Sequence, residues 1–439
     1  MTRLFSLTAL IGAALIAALP ARAAVDIEVI ETQAGHTAWL VEEPSIPFLA
    51  LELRFQGGAS LDLPGKRGAT NLMTGLLNEG AGDLDAQGFA AAEESLAASF
   101  GFDVGDDALS VSARFLTENR DEAVALLKSA LTEPRFDADA IERVRQQVLS
   151  GIRRDSTDPD AIASREWSAL IFEGHPYGTS SDGTEDSVAA LTRDDLVTAW
   201  QNAIAQDRVF IGASGDISAE ELATLIDDLL ADLPVEGAPQ PEDVAVDTTS
   251  GTTIVEFDTP QSVALFGHSG IDRHDDDFFP AFVLNHILGG GGFESKLMNE
   301  VREKRGLTYG VYSYLANRDH ADLLMGRVAS ANDRIAEAVS VIRDIWAEVA
   351  ANGVSEEDLE QAKTYLTGAY PLRFSSNSNI ANILVGMQMD DLPPDYVNTR
   401  NDKVDAVTAQ DVARVAARLM QPHALRFLVV GKPEGLVDG

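Results

Sequence analysis

Cysteine is absent from all 439 residues, which rules out disulfides, thiolate metal sites and a cysteine nucleophile. No Gly-x-Ser-x-Gly elbow is present, so a serine mechanism has no visible nucleophile either. Positive charge is scarce: 33 Lys and Arg face 70 Asp and Glu, for a net charge of -37. Such a surplus of carboxylates repels nucleic acid and anionic lipid over long range, so neither is expected as a partner. The acids are spread along the chain, which reads as solubility or salt adaptation; a preference for basic peptides is the other reading. Histidine is rare too, and none of the seven stands three or four residues from another, as a helical metal pair would. The densest cluster, His268 and His274 among Asp272, Asp275, Asp276 and Asp277, reads as a solvated acidic turn. His286, in an apolar run, reads as a packed core histidine, and His175, in Gly-His-Pro-Tyr-Gly, as a structural turn residue.

What remains is the composition of an ordinary globular protein, 45% hydrophobic and 23% charged. At roughly 150 residues per domain, the length allows two or three domains. Residues 1–23 read as a secretory signal: Arg3, an apolar run from Ala9 to Leu19, then Ala21-Arg22-Ala23 as a small-x-small cleavage site. The apolar run is too short for a membrane span. A periplasmic protein whose mature chain starts near Ala24 and has no membrane span is therefore expected.

The stretch Leu288 to Tyr314 sets a glycine run, a helix and a strand in succession. Gly289, Gly290, Gly291 and Gly292 leave the backbone free to approach a ligand closely, or to act as a flexible connector. No Gly-Lys-Ser/Thr follows, so a phosphate-cradling loop is not expected. Phe293, Leu297 and Val301 recur at i, i+4 and i+8, which predicts one apolar helical face ending at Gly306. Arg302 lies near the end of that helix and Tyr309 in a predicted strand, Thr308 to Tyr314. Side by side, helix and strand would aim a guanidinium and a phenol at one spot; a solvated arginine and a half-buried strand tyrosine are the plainer alternative.

Three strands are expected over Val25 to Gln56, then helices at Ala69 to Asn78, Ala86 to Ser99, Arg120 to Leu131, Asp139 to Arg154 and Asp160 to Phe172. Strands at Ala108 to Phe115 and Arg208 to Ser214 complete a first half. Leu233 to Gly251, rich in Pro, Gly and acid, reads as a linker. Beyond it, with strands at Thr253 to Phe257 and Ser262 to Gly267, the pattern restarts. Glu118 to Leu131 is echoed by Asp333 to Trp346 at an offset of 215, and Ile141 to Gly151 by Asp358 to Gly368 at 217. Leu191 to Asp216 is echoed by Val407 to Glu434, each a helix opened by Thr and Asp running into a strand. Two copies of one α+β domain are therefore expected, at 24–233 and 252–439, each a mostly antiparallel sheet covered on one face by helices. Ser355-x-x-Asp358 predicts a capping box.

Two such halves, the second carrying GGGG and then REKRGLTY, resemble the insulinase or pitrilysin family of zinc peptidases, most closely the short bacterial members akin to mitochondrial processing peptidase. The resemblance implies a clamshell half, with Arg302 and Tyr309 reaching the scissile region from the second domain. It also implies H-x-x-E-H and a distant glutamate in the first domain. Here Asn71 and Gly75 stand at the histidine positions, Thr74 at the base, and Gly151 at the distant ligand. The first half is thus expected to hold no metal and no cofactor. The resemblance further implies a non-catalytic subunit of a heterodimeric zinc endopeptidase acting on extended or unfolded peptides. Zinc would sit in a homologous partner with an intact H-x-x-E-H. A stand-alone peptide-binding or scaffold protein is the alternative.

Overall fold

The computed structural model describes residues 25–246 and 248–439; the expected signal, residues 1–23, lies outside them. The first half contributes strands β1 (Glu28–Glu31), β2 (Thr37–Glu42), β3 (Phe48–Gln56), the short pair β4 (Gly80–Ala81) and β5 (Leu84–Asp85), β6 (Ser99–Val104), β7 (Ala108–Leu116) and β8 (Val209–Gly215). Its helices are α1 (Ala69–Thr74), α2 (Ala86–Ser95), α3 (Arg120–Thr132), α4 (Ala138–Asp155), α5 (Pro159–Ile171), α6 (Glu185–Ala190), α7 (Arg193–Ala203) and α8 (Ala219–Leu230). The second half adds β9 (Gly251–Glu256), β10 (Gln261–Ser269), β11 (Val311–Arg318), β12 (Ala321–Ala331) and β13 (Arg426–Gly431). With them come α9 (Phe278–Asn285), α10 (Ile335–Asn352), α11 (Glu356–Ala369), α12 (Asn377–Met389), α13 (Tyr396–Asp405) and α14 (Ala409–Leu419).

Apart from the β4–β5 pair, the strands form two sheets that share one five-strand order, the first with β1 added at its edge. The first runs β6-β7-β3-β8-β2-β1 and the second β11-β12-β10-β13-β9. In each, one parallel pair, β2 with β8 and β9 with β13, interrupts an otherwise antiparallel order. Equivalent helices also start alike. Thr192 with Asp195 opens α7 and Thr408 with Asp411 opens α14, each pair exchanging side-chain and backbone hydrogen bonds. At Ser355 only one arm of such a box forms, the hydroxyl accepting from Asp358 N at 3.1 Å.

Alternation along the central strands decides how the halves join. Leu51, Leu53, Ile211 and Ala213 turn into the first core with the helices of their own half. Gly212 and Arg54, one residue out of step, face the opposite way. There α12 of the second half lies so close that a Cβ on Gly212 would sit 2.6 Å from the Ala381 carbonyl oxygen. The second sheet repeats this: Ala264, Phe266 and Val429 face their own helices, while Val263, Leu265 and Val430 pack against Ile162, Ala163 and Trp167 of α5. Both sheets are therefore covered on two faces, not one as expected. Each fully buried aliphatic or aromatic side chain contributes about 1.5–3 kcal/mol, so the exchange of α5 and α12 joins the halves firmly.

Several expected boundaries move. The helix from Ala69 stops at Thr74, that from Ala86 at Ser95, and the strand expected from Thr308 starts only at Val311. Leu297 and Val301 are fully buried, but Phe293 is 69% exposed, because positive φ at Gly292 and extended Ser295 set it off from the following turn. The acidic histidine cluster splits. Asp275 and Asp277 take ion pairs from Arg418 and Arg414, whereas His268 is fully buried, its Nε2 accepting from Trp346 Nε1 at 2.9 Å.

Gly212→Val would force α12 off the sheet, and the expected loss is about 1–3 kcal/mol in urea denaturation. Burial holds the His268 imidazole below its ordinary value. The folded state keeps it neutral while the unfolded chain takes up a proton below pH about 6.5, so its contribution is complete above that pH and lost below it. The stability advantage of the wild type over His268→Gln should therefore shrink as the pH is lowered from 8 to 5.5.

Candidate functional site

The helix expected to carry a metal is α1. Asp62 fixes its start, its carboxylate accepting from Gly68 N and Thr70 N, both at 2.8 Å, and from the Thr70 hydroxyl at 2.7 Å. Burial raises the Asp62 pKa against these bonds and against Arg67, 3.8 Å away. Asn71 donates its amide to Asp182 Oδ1 at 2.9 Å. Thr74 is buried and returns its hydroxyl to the Thr70 carbonyl at 2.8 Å. Gly75 ends the helix, and a Cβ there would approach Val144 of α4 to 3.1 Å. Gly151, further along α4, has only the Arg154 guanidinium within 4 Å of its absent Cβ.

These residues do not fit zinc. Three protein ligands with lone pairs are required, and the positions supply two glycines, a hydroxyl already used by the backbone, and an amide held by a carboxylate. A guanidinium beside Gly151 further opposes a cation there. Among the described residues no group of three or more His, Asp or Glu is arranged to hold a metal. Asp182, the group that holds Asn71, carries no signal in the sequence, because 111 residues separate the pair and no spacing rule links them.

Arg302 and Tyr309 do line one cleft in the second half, with Gln261, Leu307, Thr308 and Arg334. Arg302 sits near the end of a wide π-type turn, Met298–Glu303, where Gly306 N caps the Arg302 carbonyl at 2.8 Å. Its guanidinium lies 4.9 Å over the Phe293 ring and pairs with Glu303. Phe293 thus supports the arginine rather than the core. The Thr308 hydroxyl donates to the Ala329 carbonyl at 2.6 Å and accepts from Gly310 N at 3.0 Å, pinning the segment just before β11. Tyr309, held outside the strand, is 89% exposed rather than half-buried. A cation and a phenol in one open cleft can donate hydrogen bonds to a carbonyl oxygen or an oxyanion.

The glycines do not join that cleft. Gly289 is buried in a π-type turn, His286–Gly290, where a Cβ would meet Ser313 N of β11 at 2.5 Å. A Cβ on Gly291 would meet the His286 carbonyl at 2.8 Å. Gly289, Gly290 and Gly292 line a separate groove with Tyr312 and Tyr314. Gly289 and Gly291 are close-packing positions, so the run is not a flexible connector. His286 is half-buried and stacks on Tyr365 at 5.2 Å, and His175 closes its turn by accepting from Tyr177 N at 3.2 Å.

Two halves of one topology, an α1 stripped of donors and an arginine–tyrosine cleft define a two-domain metallopeptidase-like chain. The chain belongs to peptidase family M16, the insulinase family: the family's own model, "Insulinase (Peptidase family M16)", matches residues 38–185, and "Peptidase M16 inactive domain" matches 190–366. It is similar to the non-peptidase homolog YmxG of Helicobacter pylori, 26% identical over 390 residues, 89% of this chain and 90% of that protein. It is also similar to an uncharacterized zinc protease of Mycobacterium leprae, 26% identical over 312 residues, 70% of each. The crystal structure of a peptidase M16 inactive domain from Pseudomonas fluorescens matches with a TM-score of 0.87 at 29% identity, covering 94% of this chain and 99% of that one.

Metal analysis of the isolated chain after exposure to zinc and gel filtration should find far less than one zinc per chain. Tightly held stoichiometric zinc would overturn the donor assignment.

Proposed function

We propose that this chain is the pseudo-peptidase subunit of a periplasmic, heterodimeric zinc endopeptidase. Its partner is a homologous chain with an intact H-x-x-E-H, and zinc sits in the partner alone. The substrates are extended or unfolded peptides. The observation that carries this reading is a pairing of loss and retention: the donor positions Asn71, Thr74, Gly75 and Gly151 cannot bind zinc, while Arg302 and Tyr309 share an open cleft. In the complex the two side chains donate to the peptide carbonyl at the cleavage site and to the oxyanion that replaces it. Glu303 keeps the guanidinium oriented while leaving further N–H groups for substrate.

Removing one oxyanion donor costs about 2.7–4 kcal/mol of barrier. With the zinc-bearing partner present, Arg302→Ala and Tyr309→Phe should each slow peptide cleavage about a hundredfold or more, with the complex still assembled on gel filtration. Tyr309 is almost wholly exposed, so its variant leaves the fold intact. Wild-type turnover by the double variant would refute the role, and a chain that binds peptides without ever recruiting such a partner would point to a stand-alone scaffold.

A further inference from the structure

Most cations in this acidic chain face a carboxylate, as Arg414 faces Asp277 at 2.6 Å. One pocket reverses the sign. Arg54, Arg273, Arg373 and Arg400 line it against a single carboxylate, Asp390. It lies where β3 of the first half meets α9, α12, α13 and the turn Tyr370–Phe374 of the second, and encloses about 340 Å³. It shares no residue with the Arg302–Tyr309 cleft, so a ligand bound in it is read on the isolated chain.

Arg400 is only 6% exposed, yet it has no carboxylate partner among the described residues. It donates to the Leu366 carbonyl at 2.8 Å and Asn401 Oδ1 at 2.9 Å, and rests against the rings of Tyr370 at 4.6 Å and Phe282 at 5.2 Å. Arg273 lies 4.2 Å over Phe278 and donates to the Tyr396 hydroxyl at 2.8 Å, with Asp390 at 3.8 Å. Arg54 donates to Asn382 Oδ1 at 2.5 Å, and its buried Nε has no acceptor. Arg373 is exposed and makes no hydrogen bond or ion pair among the described residues.

Two carboxylates offset these four guanidiniums only in part: Asp390 acts with Arg273 and Arg54, and Glu52 with Arg54. Burial pushes the Tyr370 phenol up to about 12 although Arg400, Arg373 and Arg273 all act on it, so at neutral pH it carries no charge. Burial likewise raises the Asp390 pKa and draws down that of Arg400. Partly buried guanidiniums this poorly compensated call for an external anion. Their planar forks match a carboxylate bidentately. Phe279, Phe282, Ile383, Met387 and Leu392 supply an apolar wall that a bare inorganic anion leaves unfilled.

We propose that this pocket binds an organic carboxylate with an apolar body, the carboxylate held by Arg273, Arg373 and Arg400 and the body against Phe279, Phe282 and Met387. Two sources share that chemistry: the free C-terminus of a peptide ending in a hydrophobic residue, and a small aryl or alkyl carboxylic acid.

Isothermal titration of the full chain distinguishes them, using N-acetyl-Ala-Ala-Leu-Phe as acid and as amide, N-acetylphenylalanine, and inorganic phosphate. The tetrapeptide acid should bind at least about tenfold tighter than its amide, and Arg373→Gln, at an exposed position, should weaken the acid about tenfold. A tetrapeptide preferred over N-acetylphenylalanine assigns the peptide terminus, and equal affinity assigns the small acid; both support the site. Equal binding of acid and amide, no binding of any carboxylate, binding of phosphate alone, or an acid affinity unchanged in both Arg373→Gln and Arg273→Gln would overturn it.

Discussion

The exchange of one helix between the halves is the constraint on which the rest of the structure depends. The central strands of the second sheet are apolar on both faces, and the second face of the first carries Trp39 and Gly212 beside the buried Glu52, so neither face can be left in water. α5 closes the second sheet and α12 closes the first, with Gly212 and Trp167 at the crossings. Close packing at backbone distance tolerates little sliding, so the two halves are held as a single body. The arginine pocket is a by-product of the same crossing, since Arg54 meets the second half only because α12 lies across β3.

That rigidity bears on the chemistry. The vacated positions belong to α1 and α4 of the first half, and the arginine–tyrosine cleft to the second, so neither contains what the other lacks. Donors for a developing negative charge are useful only opposite an electrophile that something polarises. No ion-binding group is found among the described residues, so under the proposed reading a second polypeptide brings the ion that gives the cleft its catalytic meaning. The fold tolerates the loss readily: Asp62 and Asp182 satisfy the start of α1 without a metal, and Gly75 lets α4 pack closely where an imidazole would have intervened.

The repeated architecture is legible in the sequence because it rests on local signals. Apolar periodicity marks the helices, and Thr-x-x-Asp opens the same helix in each half. The exchange of α5 and α12 is not, since β10, apolar on both faces, announces burial without naming what covers it, and β3 hides its second cover behind Glu52 and Arg54. The neighbours of Tyr309 favour a strand and so a half-buried ring, whereas the Thr308 hydroxyl holds it clear of β11. The glycine run promises freedom from composition alone; in three dimensions Gly289 and Gly291 are demanded by what lies beside them. Arg54, Arg273, Arg373 and Arg400 carry no spacing signal at all, for only folding gathers them.

Peptide hydrolysis by this chain, by the proposed zinc-bearing homologue, and by the two titrated together tests the proposed division of labour most directly. The account predicts negligible turnover from either alone and a rate that rises to a plateau at one chain per partner. Full turnover by the homologue alone, or zinc-dependent cleavage by this chain alone, would contradict it.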